Sequence, residues 1–284
     1  MIEIRHRETG EILETIDVSQ LKGADLRDMR LNGAALSDMD LSGTQFQYAD
    51  LVGADLSRSN LRGAFLAGAH LNDADLSGAN LSEAKLGGDR RSLAAMMSGS
   101  NLAGANLDRA DLRFVEMRRS NLSGATLNNA DLRDADLYGA DMTGVVAQRA
   151  LFIKTNMRDA NLTRANLCDS HLNEANMIKV TLKDALLESC FSEGFTVINL
   201  ANLEGADLRD VGMRNISAEE TNMRHANLSG ADLSHAVMGG AILRSANVAG
   251  TNFEGVELAT VTMEFANFSQ ALNARIPSYK ANLR

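Results

Sequence analysis

The sequence predicts an all-β solenoid, and two observations carry that prediction. First, fourteen successive positions five residues apart, from Leu21 to Leu86, carry leucine thirteen times and phenylalanine once, at Phe46. Second, the residue two places before each of these centres is usually alanine, and the residue between them is often Asp or Asn. So regular a period indicates structural units that stack on one another, as longer solenoid repeats do.

Residues 1–20 do not follow the repeat. Ile2 and Ile4 alternate with charged residues, a turn signal follows at 8–11, and a second apolar run starts at Ile12. This pattern predicts a β-hairpin. Because the end of a solenoid exposes core side chains and unpaired edges, we expect the hairpin to cap the first coil.

The repeat from 21 to 268 predicts which side chains are buried. Side chains in extended backbone alternate in direction, so each central leucine and the alanine two places before it should point inward. The Asp or Asn between them should point outward and form hydrogen-bonded ladders on a solvated face. Glycine often stands two places after the leucine, as at Gly23 and Gly33. We expect a tight corner there, where freedom in φ is needed.

This A(D/N)LXX pattern, seen for example at 24–26 and 54–56, resembles the pentapeptide repeat family. The resemblance covers most of the chain. It implies a right-handed quadrilateral β-helix with four pentapeptides per coil. The 48 repeat centres would then make about 12 coils.

The register of the repeat breaks first at 87–96. The break adds either six residues, as a loop, or one residue, as a bulge, and the sequence leaves both open. A loop would present Asp89, Arg90 and Arg91 to a partner, and we take these residues as candidates for interaction.

A second break follows at 188–197, where Phe191, Glu193 and Phe195 occur. Here we favour a one-residue bulge, with both phenylalanines packed inward, over a projecting recognition loop. The three residues remain interaction candidates if the segment projects. After Phe268 the pattern fades, and we expect 269–284 to close the C-terminal end as a short helix or an irregular turn.

An apolar stripe is a further interaction candidate. Val146 and Leu186 both occupy outward positions and lie 40 residues apart, which places them two coils apart on one face. Single exposed apolar residues are common on protein surfaces, so the stripe alone does not establish a contact.

We find no catalytic, cofactor or metal site in the sequence. The five histidines lack the spacing of a ligand set, and the outward Asp residues recur too irregularly for a repeated calcium site. Cys168 and Cys190 show no pairing or metal spacing, so we expect reduced thiols. The chain should therefore not be an enzyme.

Charge and hydropathy limit the partners. The net charge is −9, but it is uneven: residues 198–268 carry 9 acidic and 4 basic side chains, whereas 97–187 carry 11 of each. Such a balance disfavours direct nucleic-acid binding. With no secretory signal and no apolar run of about 18 residues, we expect a soluble, cytoplasmic protein without a membrane partner.

These observations favour a non-catalytic protein-interaction scaffold that presents a rigid polar surface to a protein partner. The alternative follows from the resemblance to the gyrase-protecting, Qnr-type bacterial members of the family. It implies a DNA mimic that binds a type II topoisomerase (DNA gyrase or topoisomerase IV) and forms a homodimer through its C-terminal end. A mimic needs continuous negative potential, which the neutral block at 97–187 interrupts.

Overall fold

The computed structural model describes residues 1–190 and 194–280, and the chain divides into two compact units, 1–145 and 146–284. The first unit contains strands β1 (Ile2–Arg5) and β2 (Ile12–Ile16) and a 3₁₀ helix, Arg91–Leu93. The second contains a 3₁₀ helix at Ser278–Lys280. The rest of the described chain is a series of isolated parallel bridges and tight turns.

The bridges give the repeat its geometry. In the first unit Asp25 pairs with Gln45, and Gln45 pairs with Phe65, each in parallel and each 20 residues on. In the second unit Asn156 pairs with Asn176 in the same way. A spacing of 20 residues means four pentapeptides per coil. Each unit is therefore a β-solenoid with that period.

Backbone hydrogen bonds join successive coils. The Leu26 N–H donates to the Gln45 carbonyl over 2.8 Å, and the Gln45 N–H donates back to the Ala24 carbonyl over 2.9 Å. The same reciprocal pair recurs along both units. Because each coil supplies partners for the next, the extended backbone keeps its polar groups satisfied without long strands.

The predicted inward positions form the core. The central leucines and the alanines before them are almost completely buried, as Leu56 and Ala54 illustrate. Where serine or threonine replaces the inward alanine, its hydroxyl donates to a backbone carbonyl, as Thr44 does to Leu21 over 2.7 Å. Burying each leucine side chain contributes about 1.5–3 kcal/mol, so the repeated leucine is the main apolar stabilisation of each coil.

The corners have the positive φ that the glycine pattern predicts. Gly23 has φ +67°, and residues with side chains adopt the same conformation, including Asp28 at +60° and Tyr48 at +60°. A left-handed conformation is unfavourable for most side chains but least so for Gly, Asn and Asp. Gly68 is required for a second reason, because a side chain there would collide with the ring of Tyr48.

Both register breaks are six-residue insertions. His70 bridges Met96, and His171 bridges Val197, so the spacing is 26 rather than 20 at each break. At the first break the Ala95 N–H donates to the Leu86 carbonyl over 2.8 Å and closes the base of a loop. The sequence left loop and bulge open for this segment, and the structure has the loop.

The bulge favoured for the second break is wrong. Phe195 does not pack inward, since 55% of its surface is exposed. A one-residue bulge would turn the following side chains to the opposite face, whereas an insertion of six residues returns the chain to the ladder with its leucines still inward. Phe191 and Glu193 lie outside the described residues.

The expectation of two reduced cysteines is also wrong. Cys168 and Cys190 form a disulfide with their Cα atoms 5.6 Å apart. The two residues are 22 apart in sequence, a spacing that pairs nothing in an uninterrupted ladder. The inserted segment brings Cys190 beside the buried Cys168 of the preceding coil.

The chain termini add contacts at the end coils of their own units. At the N-terminus, β1 pairs with β2, and its Arg5 carbonyl accepts the Ala35 N–H over 2.8 Å. At the C-terminal end, Lys280 Nζ donates to the carbonyls of Leu258 and Val261 over 3.3 and 2.7 Å. These bonds satisfy backbone groups that have no further coil to pair with.

A test of the register compares two adjacent residues. Leu132→Asp places an unpaired carboxylate in a fully buried position, and we expect it to lower the unfolding free energy by about 4 kcal/mol or more. Asp131→Ala removes an outward carboxylate that pairs with Arg133 at 2.6 Å and should cost less than about 1 kcal/mol. Chemical denaturation measures both. Equal losses would contradict the inward assignment.

Candidate interaction surface

The outward Asp and Asn residues form the predicted ladders. Asn80 Nδ2 donates to Asn60 Oδ1 over 3.2 Å, and Asn60 Nδ2 donates to Asp40 Oδ1 over 3.0 Å. Each side chain also accepts a backbone N–H two residues on, as Asn80 does from Ser82 over 3.1 Å. Because these groups satisfy one another, the ladders stabilise the outer face and leave few polar atoms for a ligand.

Arginines neutralise many of the outward carboxylates. Arg27 pairs with Asp25 at 2.6 Å, and this side-chain hydrogen bond lowers the pKa of Asp25 to about 2. Arg209 likewise holds the pKa of Asp207 below its usual value. Arg118 pairs at 2.7 Å with Asp136, whose side chain is almost fully buried. The acidic residues therefore do not form a continuous negative surface.

The loop at the first break presents the charged residues that the sequence singles out. The Asp89 side chain is 93% exposed and lies 4.0 Å from Arg113. Arg90 and Arg91 are exposed at the start of the short 3₁₀ helix, and neither has an ion-pair partner among the described residues. The loop thus carries two available cations on an acidic protein.

Sequence reasoning missed a second cationic feature of the first unit. An open groove of about 520 Å³ runs along four successive coils and is lined by Asn72, Asp73, Ser98, Gly99, Arg118, Arg119 and Tyr138. Arg118 is held by Asp136, whereas Arg119 has no ion-pair partner among the described residues. Counting these positions across the first break requires the 26-residue spacing, which the sequence alone did not decide.

In the second unit, Val146 and Leu186 lie on one ladder, as predicted. Val146 bridges Asn166, and Asn166 bridges Leu186. Leu186 is 42% exposed, and Val146 is half-buried. The stripe is short, because Gly212 follows Leu186 on this ladder.

Phe195 belongs to a different face of the second unit. Its ring stacks on His171, with centroids 6.4 Å apart. His171 is part of a ladder that we call the Leu151 ladder, whose members are Leu151, His171, Val197, Ser217 and Val237.

Three large apolar side chains on or beside the Leu151 ladder are about half exposed: Phe195 and Leu200 at 55% and Val237 at 54%. The structure therefore gathers apolar surface here rather than on the ladder of Val146 and Leu186. The 20-residue period would have aligned Leu151 with His171, but Val197 and Val237 required the second insertion to be recognised.

Neither a metal centre nor a membrane span is found in the parts of the chain that the structure describes. Within 1–190 and 194–280, no group of three or more His, Cys, Asp or Glu side chains is arranged to hold a metal ion. Over the same residues, no helix has the length and apolar character needed to cross a bilayer.

The sequence profile of the pentapeptide repeat family matches the chain in eight copies. The matched residues are 19–58, 49–88, 94–124, 115–146, 150–188, 201–240 and 238–272. Because these ranges cover well over half of the sequence, the chain belongs to the pentapeptide repeat family. No curated protein sequence matches it closely enough to count as a relative.

Several solved structures resemble the chain. HetL, a pentapeptide repeat protein involved in heterocyst differentiation regulation in Nostoc sp. strain PCC 7120, is 28% identical, with 76% of this chain and 88% of HetL covered and a TM-score of 0.38. QnrB1, a plasmid-mediated fluoroquinolone resistance protein, is 18% identical in a trypsin-treated form, with 82% and 92% covered and a TM-score of 0.40.

A pentapeptide repeat protein from the thylakoid lumen of Arabidopsis thaliana is 32% identical, with 41% of this chain and 67% of that chain covered and a TM-score of 0.27. The three TM-scores are low. The family assignment rests on the sequence profile.

The 26-residue spacing at the first break yields a deletion test. Removing residues 89–94 restores a spacing of 20 between His70 and Met96, so we expect the variant to fold with a melting temperature close to that of the parent. Removing five residues instead should shift the register and turn the following leucines outward. Thermal unfolding followed by circular dichroism distinguishes the two. Equal behaviour of both deletions would contradict the insertion.

Proposed function

We propose that this protein is a non-catalytic scaffold that binds a protein partner through its outer surface. The observation that carries the proposal is the group of half-exposed apolar side chains Phe195, Leu200 and Val237, set on a surface whose other positions are mostly hydrogen-bonded ladders. Exposed apolar surface bordered by satisfied polar groups is typical of protein-binding sites.

The packing of the repeat supports a role for the surface rather than the interior. The inward positions are filled by Leu, Met, Phe and Ala side chains with almost no exposure, so a substrate would have to bind outside the core. We therefore propose neither catalysis nor a cofactor. The partner is unnamed by these observations, and its contact residues are proposed to include the loop cations Arg90 and Arg91.

The test of the scaffold function is a comparison of two double variants. Leu200→Ser with Val237→Ser removes the apolar side chains near the Leu151 ladder, and Phe65→Ser with Val52→Ser removes exposed apolar side chains of the first unit. We expect the first pair to reduce recovery of a specific partner at least tenfold in quantitative cross-linking and affinity capture, and the control pair to leave it unchanged. Equal recovery with both pairs would overturn this assignment.

One observation favours the alternative, a DNA mimic that acts on a type II topoisomerase. The first unit, residues 1–145, carries 22 acidic and 15 basic side chains, whereas residues 146–284 carry 15 and 13. The acidity is thus concentrated in one unit. The short ion pairs of that unit, such as Asp131 with Arg133 at 2.6 Å, disrupt the continuous negative potential that a mimic requires.

A supercoiling assay separates the two functions. A DNA mimic should inhibit DNA gyrase or relieve fluoroquinolone-stabilised cleavage, and added salt should weaken the effect because charged surfaces attract each other less. We expect no effect at micromolar protein. Protection by the parent that the 89–94 deletion variant lacks would place the mimic first and assign the contact to the loop.

Three further features stay predictions. They are a cytoplasmic location, a homodimer through the C-terminal end, and a continuous right-handed quadrilateral β-helix of about 12 coils with the hairpin as its cap. The disulfide between Cys168 and Cys190 bears on the first, since stable disulfides are typical of oxidising compartments. Trapping free thiols in intact cells before lysis measures which state the protein has there.

A further inference from the structure

One buried carboxylate of the second unit has no partner. Asp169 is only 4% exposed. Both of its side-chain oxygens are buried and accept no hydrogen bond, and no ion pair to Asp169 occurs among the described residues. Burying an ionised carboxylate without a counter-charge is strongly unfavourable.

The inserted segment creates this situation. Asp169 occupies a corner with φ +58°, and its N–H donates to the hydroxyl of Thr196 over 2.9 Å, where other corners donate to a carbonyl of the next coil. Gly194 lies against the carboxylate so closely that any side chain there would collide with it. The neighbouring Cys168 anchors the segment through its disulfide to Cys190.

Comparable corner carboxylates are paired. Asp38 bonds Arg58 one coil further on at 2.7 Å, and Glu174 lies 3.5 Å from Lys154. In both cases the partner is a basic side chain from an adjacent coil. Asp169 differs because the inserted segment occupies the place of such a partner.

Asp169 also lines a pocket of about 500 Å³, together with Arg149, Leu151, His171, Gly194 and Phe195. The stacked rings of His171 and Phe195 form an aromatic wall, and Leu151 supplies an apolar one. Arg149 reaches the pocket but makes no hydrogen bond to the carboxylate. The pocket thus combines an unpaired anion with surfaces suited to the stem of a long side chain.

We propose that this pocket binds one basic side chain, a lysine or an arginine, of the protein partner. The ammonium or guanidinium would supply the counter-charge that Asp169 lacks. Its methylene stem would pack on Leu151, and the face of Phe195 would attract the cation. The inference rests on the proposed scaffold function and specifies the chemistry that the partner must present.

Other ligand classes fit less well. An anion would be repelled by the carboxylate. A metal ion would find at most Asp169 and His171, since the described residues hold no group of three ligating side chains. The internal competitor is Arg149, which lies in the preceding coil and would occupy the site itself if its side chain turned to Asp169.

The experiment titrates the full chain with short capped peptides. Acetyl-Gly-Lys-Gly-amide and its arginine counterpart are compared with the norleucine peptide, which has the apolar stem but no charge. Binding is followed by isothermal calorimetry and by NMR shifts of backbone amides at 149–151 and 169–171. We expect saturable binding of the charged peptides and at least tenfold weaker binding of the norleucine peptide.

Two variants make the assignment specific. Asp169→Asn should abolish the preference for charged peptides, and because a neutral amide costs less to bury, it should melt at the same temperature as the parent or higher. Asp159→Asn is the matched control, since Asp159 has the same corner φ of +58° but is exposed and lies 3.5 Å from Arg158. If Asp169→Asn fails to fold, Phe195→Ala takes its place and should weaken binding of the charged peptides.

Three outcomes would overturn the proposal. They are no saturable binding of either charged peptide, equal binding by Asp169→Asn, and binding that emerges only in Arg149→Met, which would show that Arg149 fills the site from within. None of these outcomes affects the scaffold test, because that test compares partner recovery by the Leu200 and Val237 variants.

Discussion

The ladder of backbone hydrogen bonds between residues 20 apart is the constraint on which the rest of each unit depends. Every coil satisfies the polar groups of the next, and the leucines can pack inward only while that register holds. A shift by one residue would expose the core along the whole following segment. Insertions are therefore accommodated as complete loops, and both register breaks contain six extra residues.

The same constraint organises the surface. Residues of one ladder lie above one another, so each face is a set of columns that are either polar and mutually hydrogen-bonded or partly apolar. Arginines that bond carboxylates two residues away, as in the pair of Arg209 and Asp207, reduce the charge of the polar columns. Recognition then depends on the exceptions: the loop at 89–94, and the apolar side chains near the Leu151 ladder.

The unusual chemistry of the second unit arises where an insertion interrupts the ladder. Thr196 replaces a carbonyl as the acceptor for Asp169, and the inserted segment covers a carboxylate that would otherwise face a basic residue of the next coil. A repeat with uniform coils has no place for an unpaired buried charge. The interruption makes a pocket with its own ligand requirement possible.

The sequence by itself determined the five-residue period, the inward leucines and alanines, the positive-φ corners, the hairpin at the N-terminus and the ladders of outward Asp and Asn, because all of these follow from local alternation. The shared ladder of Val146 and Leu186 also follows from counting, since no insertion lies between them. Only the tertiary structure decided the length of the insertions, the exposure of Phe195, the bond between Cys168 and Cys190 and the isolation of Asp169. These features depend on which residue of a neighbouring coil lies opposite an inserted segment, and a local period contains no information about that.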